Sequence, residues 1–225
     1  MRFLIKMIRN SIFAAALSCL VVFVAVLGVR RNGNLEFLEL PAYDWFVRLQ
    51  PGSAVHDPRI TVIRVSEKDI LSLGRWPLTD EILAQALIAL LKENPRAVGL
   101  DIFRDIPVPP GTDLLDTVLT KNPNIIVTMK FGEGGVRPPP VLKGTDQVSF
   151  NDILVDPGGV VRRGLFFLDD GDSVAYSFSL RLALLYLQAQ GIAPQPDEQN
   201  PPHLRLGSVP FRPFEENDGG YTKAD

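Results

Sequence analysis

Apolar and polar positions change rhythm several times along the chain. Ile12 to Val29 is 18 residues without a charge, interrupted only by Ser18, Cys19 and Gly28. A bilayer-spanning helix needs about 20 apolar residues, with about 17 as the lower limit. Leu35 to Leu49 then repeats apolar side chains at Leu35, Leu38, Ala42, Trp45, Phe46 and Leu49, which predicts a helix. Pro41 fits the first turn of a new helix after a bend. Ile60 to Val65 is a β-branched run that predicts a buried strand. Ser66 to Leu73 predicts one or two helical turns, ended by Gly74-Arg75-Trp76-Pro77.

Thr79 is a good N-cap, and Asp80 and Glu81 follow where the helix dipole favours negative charge. Ile82, Leu83, Ala86, Leu87, Leu90 and Leu91 recur at helical spacing until Asn94-Pro95. Ala97 to Phe103 predicts a second strand, Asp113 to Thr120 a helix, and Asn124 to Met129 a third strand. The alternation β-α-β-α-β argues for parallel pairing around an α/β core. After a Gly- and Pro-rich loop at 131–144, Val148 to Val155 and Gly159 to Leu168 predict strands joined by Asp156-Pro157-Gly158. Asp169 to Asp172 reads as a turn before a helix over Tyr176 to Gln190. Its Phe178, Leu182, Leu185 and Leu187 are expected to face inward, with Gly191 as cap. Pro194 to Pro202 predicts a surface loop, and Leu204–Leu206 with Ser208–Phe211 a short hairpin. The fold class expected is α/β: a mixed, partly parallel sheet with flanking helices, preceded by one transmembrane helix.

Charge separates the two ends. The 225 residues carry a formal net charge of −3, but Arg2, Lys6, Arg9, Arg30 and Arg31 all precede the first acidic residue, Glu36. From residue 32 onward the net charge is −8. Arg2, Lys6 and Arg9 favour a cytoplasmic amino terminus by the positive-inside rule, while Arg30 and Arg31 pull the other way. The competing readings of the apolar run are a cleaved signal peptide and a buried core helix. The organisation expected is a basic cytoplasmic segment at 1–11, a signal anchor at 12–29, a juxtamembrane helix and linker at 30–56, and an extracytoplasmic domain at 57–225. Residues 12–29 make the lipid bilayer a partner.

Composition narrows the chemistry. One cysteine and two histidines leave little for a zinc or His-based metal centre, and a mildly acidic chain argues against nucleic acid as a partner. No cofactor is expected: Gly132-Glu-Gly134-Gly135 follows a strand, but Arg137-Pro-Pro-Pro140 stands where a dinucleotide fold needs a helix. His56 and His203 read as surface residues, and no nucleophile motif accompanies them. Asp169, Asp170 and Asp172 lack the ligand spacing of an EF-hand. Arg162 and Arg163 read as an exposed strand start, with an anion site as the alternative.

Ligands of open α/β sheets bind beyond the carboxyl ends of the strands. That edge brings Asp101, Phe103 and Asp105 together with Arg75 and Trp76 of the preceding loop as a tentative ligand pocket. The plainer alternative is that Trp76 packs and Arg75 pairs with Asp101. No catalytic or metal residue is assigned.

The order of motifs resembles the type-2 CHASE domain, an extracellular sensory domain associated with cyclases and histidine kinases. The residues that carry the resemblance are Tyr43-Asp44 with Arg48 and Pro51, Asp57-Pro58-Arg59-Ile60, and Gly74-Arg75-Trp76-Pro77. Asp101-Ile102-Phe103, Asp156 through Arg163, and Tyr176 to Leu180 complete it. It covers about Leu38 to Asp225. The resemblance implies a non-enzymatic sensor outside the membrane, responding to an unknown small-molecule or ionic stimulus. It also implies a cytoplasmic cyclase or kinase output domain, in cis or in a partner, and allows a homodimer. Since the sequence ends at Asp225 without a second membrane segment, it reads as the input half of a longer protein. The rival expectations are an exported, membrane-anchored hydrolase using carboxylates such as Asp101 and Asp105, and a structural module that assembles at the membrane surface.

Overall fold

The computed structural model describes residues 2–52, 57–169, 174–200 and 203–221, with side chains described from residue 12 onward. The chain divides into two compact units, Met1–Thr61 with Arg212–Asp225, and Val62–Phe211.

The first unit begins with α1 (Arg2–Arg31), a helix of 30 residues. At 1.5 Å per residue it is about 45 Å long. Its stretch Ile12–Arg31 is long and apolar enough to cross a membrane, and none of it is buried in the protein. Such a helix leaves Phe13, Val22 and Phe23 more than half exposed, which costs dearly in water and nothing in hydrocarbon. A short turn leads to α2 (Glu36–Leu49). Pro41 does not start a new helix; α2 runs through it. Only Leu40 of α2 is buried, beside Gly220. Trp45, Phe46 and Leu49 are all more than 60% exposed, so the expected apolar face has no cover. Arg30 ties the helix junction to the later segment of the unit. Its Nε donates to Glu39 at 2.8 Å and its Nη2 to the Gly219 carbonyl at 2.7 Å.

The second unit opens with α3 (Glu67–Leu73), which begins with a reciprocal capping box between Ser66 and Asp69. These hydrogen bonds from Ser66 hold the Asp69 carboxyl below its ordinary value. Next come α4 (Asp80–Leu91), β1 (Val98–Leu100), α5 (Thr112–Lys121), β2 (Ile125–Met129) and, after a 3-10 turn at Pro140–Leu142, β3 (Val148–Phe150). The three strands form one parallel sheet in the order β1-β2-β3. Alternation of side chains across a strand divides the faces. Val98, Leu100, Ile125 and Val127 join Leu83, Leu87, Leu115 and Leu119 of α4 and α5 in the main core. The opposite face meets α6 (Phe178–Gln188): a Cβ on Gly99 would lie 2.6 Å from the Phe178 ring. Gln147 closes the end of this core, its Nε2 donating to the carbonyls of Leu119, Asn122 and Ile125.

The remaining strands are β4 (Phe167–Asp169) paired antiparallel with β5 (Val174–Tyr176), and an antiparallel sheet of β6 (Pro194–Pro196), β7 (Leu204–Leu206) and β8 (Val209–Phe211). Leu180, Leu184 and Leu206 form a second, smaller core.

The α/β class expected from the alternation is the class observed, but its strands differ. Ile60–Val65 forms no strand, and Ile60, Val62 and Ile63 are 65%, 83% and 67% exposed. A β-branched run becomes a strand only when a neighbour accepts its ladder. The parallel crossover is instead β1-α5-β2. Ala97–Phe103 shrinks to β1, Val148–Val155 to β3, and Gly159–Leu168 contributes only the start of β4. The last long helix starts later than expected because Tyr176 pairs with Phe167 in the sheet and Ser177 caps the helix. Its deepest side chains are Leu180 and Leu184. Pro194–Pro196, expected as loop, is β6. Most of the Asp169–Asp172 turn lies outside the described residues, as does His56.

Candidate functional site

Among the described residues no hydrogen bond or ion pair links the five residues expected to line a pocket to one another. Trp76 is 56% exposed. Arg75 is exposed just past Gly74, whose left-handed φ of 68° ends α3. Among the described residues no hydrogen bond or ion pair joins Arg75 to Asp101 or Asp105. Asp101, also exposed, accepts from Asn151 Nδ2 at 2.9 Å. Phe103 and Asp105 are half-buried, and the Phe103 carbonyl accepts from Arg104 Nη1 at 2.9 Å. His203 is half-buried as well.

The residue between Phe103 and Asp105 is the organising one. Arg104 is 6% exposed, and its Nε lies 3.1 Å from Asp80 Oδ1. Its Nη2 donates to the Leu78 carbonyl at 2.7 Å. Burial pushes the guanidinium below its usual pKa, against the opposing pull of the Asp80 carboxylate. Asp80, in the first turn of α4, is 1% exposed. Its Oδ2 accepts from the Val108 backbone at 2.9 Å and from Thr112 Oγ1 at 2.7 Å. Backbone bonds reinforce the clamp: Asp80 N donates to the Val108 carbonyl at 2.8 Å and Glu81 N to the Pro110 carbonyl at 2.9 Å. One carboxylate thus holds the later part of the loop between β1 and α5, from Val108 to Thr112, against the start of α4.

A cavity of about 190 Å³ opens beside this clamp. Its apolar walls are Leu115, Leu119, Pro107, Pro139 and Pro140. Asp80 and Arg104 form one polar side, and Asp116 of α5 supplies a second carboxylate. The Asp116 carboxyl titrates above its ordinary value, chiefly through burial and then through repulsion by Asp80 and Asp113. The Asp80 Oδ1 and Arg104 Nε atoms are buried and make no hydrogen bond of proper geometry.

The cavity was not legible as a site. Asp80 and Asp116 read as ordinary members of helices, and nothing local announces that Arg104 folds inward. The signal available was an arginine beside the end of a predicted strand, close to the edge where α/β ligands bind.

Arg162 and Arg163 are not an exposed strand start. Their side chains are 6% and 17% exposed and converge on the fully buried Asp156 at 3.1 and 2.8 Å. Asp156 also bridges to Val160 through the Gly158-Gly159 turn. No three His, Cys, Asp or Glu side chains converge as a metal site among the described residues.

A family model described as CHASE2 domain matches residues 21–222. No curated protein and no solved structure matches the chain.

Proposed function

The chain belongs to the CHASE2 domain family, sensory domains found in signalling receptors, and from this premise we propose that it is the extracytoplasmic input module of a membrane-bound receptor. The observation that carries the reading is the family match, which starts within α1 and runs almost to the end of the sequence. The role is non-catalytic: the domain shifts between two states when a stimulus binds one of them better. α1 anchors the module in the bilayer, with Arg2, Lys6 and Arg9 on the cytoplasmic side. The output is a cytoplasmic cyclase or kinase domain, in the same polypeptide or in a partner.

Topology is tested with single cysteines in a Cys19→Ser background. Ser72→Cys should react with a membrane-impermeant maleimide in right-side-out vesicles, and Asn10→Cys only after permeabilisation. The reverse labelling would overturn the orientation. Coupling is tested in the complete receptor by deleting residues 62–211 and measuring cyclic-nucleotide synthesis and autophosphorylation. Output that responds to conditions with or without the deletion in the same way would sink the input role.

A further inference from the structure

We propose that the cavity between α4 and α5 is a binding site for a small aliphatic ammonium ion, with Asp116 as its counter-ion.

Size sets the first limit. A closed cavity of about 150 Å³ holds one benzene-sized molecule. The 190 Å³ here suits a ligand of similar scale. The walls set the second. Leu115, Leu119, Pro107, Pro139 and Pro140 offer aliphatic contacts and no donors from their side chains, so the body of the ligand is a short hydrocarbon.

Charge sets the third. The Asp80 charge is matched by Arg104 at 3.1 Å. Arg104 directs its terminal nitrogens to the carbonyls of Leu78 and Phe103. Asp116 has no such match: among the described residues its carboxylate makes no hydrogen bond or ion pair. The cavity therefore carries an uncompensated negative charge. Burial first, and then the charges of Asp80 and Asp113, raise the Asp116 carboxyl above its ordinary value. An ammonium group satisfies this arrangement by donating to Asp116, while Asp80 Oδ1 stays with Arg104. An anion would face the unpaired Asp116 carboxylate, with the Arg104 charge already engaged by Asp80.

The position links occupancy to conformation. Pro107 and Thr112 line the cavity and bracket the later part of the loop, which Asp80 clamps. A ligand held here contacts both the clamp and α5, so it favours the closed arrangement of the loop. As the stimulus of a receptor, the ammonium ion rests on the reading given above. As a binding event it is tested without reference to output.

The experiment is isothermal titration of the full chain in lipid nanodiscs with n-butylammonium and, as its uncharged counterpart, n-butanol. Butylammonium should bind saturably to the wild type and to D113N, which removes a neighbouring exposed charge. It should bind D116N about tenfold more weakly, the order expected for a lost hydrogen bond to a charged group. Butanol should show no saturable binding. Equal binding of the two probes by the wild type, or undiminished binding by D116N, would overturn the proposal. The wild-type comparison decides even where D116N folds poorly, and the topology measurement stands whatever the titration shows.

Discussion

Asn151 reaches across the central strand of the parallel sheet to Asp101. Its Nδ2 donates to Asp101 Oδ1 at 2.9 Å, joining the residue after β3 to the residue after β1. The Asn151 backbone also donates to the Met129 carbonyl at the end of β2, so one residue ties three strand ends. Asp101 is exposed, which places the bond at the weaker end of charge-assisted bonds. Asn151→Ala should lower stability by about 1 kcal/mol. Asp101→Ala should cost similarly, and the double variant less than their sum, because the pair interacts. Denaturant unfolding of the four proteins measures the coupling; full additivity would show the bond to be idle.

The Asp80–Arg104 pair responds differently because both partners are buried. Removing one member leaves a charge without compensation, at a cost of about 3–5 kcal/mol. Asp80→Ala also strands the Val108 amide and the Thr112 hydroxyl. Asp80→Ala is therefore expected to be more damaging than Asp80→Asn, which keeps an acceptor for those donors. Thermal unfolding monitored by circular dichroism ranks the variants. Equal melting temperatures for the two would show that the hydrogen bonds contribute little.

Local patterns were legible where a segment's structure depends on itself. Thr79, the acidic first turn and the apolar spacing to Leu91 define α4 without help from the rest of the chain, and the spacing around Leu115 and Val118 does the same for α5. Ile60–Val65 has the composition of a strand and none of its hydrogen bonds, because pairing is a property of two segments. The buried cluster was hidden for a related reason. Asp80 and Arg104 are 24 positions apart, and their meeting depends on a loop that folds back over the start of α4. Two acids, Asp80 and Asp116, and a lone arginine give no local sign of burial. Three of the five residues chosen by sheet-edge reasoning, Asp101, Phe103 and Asp105, belong to that loop, and its buried arginine lies between two of them.

Gly111 marks the tightest point of that loop. Its φ of +96° is a conformation that disfavours other residues. A Cβ there would also lie 2.5 Å from the Glu81 Cα, a backbone atom that cannot rotate away. The two penalties together put Gly111→Ala at about 3 kcal/mol or more. Gly99→Ala is the informative contrast, since its Cβ meets the ends of the Phe178 and Leu182 side chains, which can shift. Chemical denaturation should find Gly111→Ala the more destabilising. The opposite order would show that α6 tolerates displacement less than the loop does.

Cys19 is the only thiol of the chain and lies inside the apolar stretch of α1, exposed on the helix surface. Placed in hydrocarbon, it is out of reach of a water-soluble reagent. A water-soluble maleimide should leave it unmodified in intact vesicles and modify it after denaturation in detergent. Rapid labelling in intact vesicles would show that this part of α1 is not within the bilayer.

Asp116 gives the stability a specific pH dependence. Its folded pKa is raised above the ordinary value of 3.8, first by burial and then by Asp80 and Asp113. A carboxyl with a raised folded pKa binds its proton more tightly in the folded state than in the unfolded one. Its contribution to stability is therefore full below about 3.8 and is lost as pH rises through the raised value. Above that window the ionised group sits half-buried among like charges, with Arg104 already engaged by Asp80. Asp116→Asn removes the charge and keeps the shape. The variant should melt at a higher temperature than the wild type at pH 7, and the difference should vanish as the pH falls below about 3.8. A constant difference at all pH values would mean that the substitution acts through packing and that the Asp116 charge is not under strain.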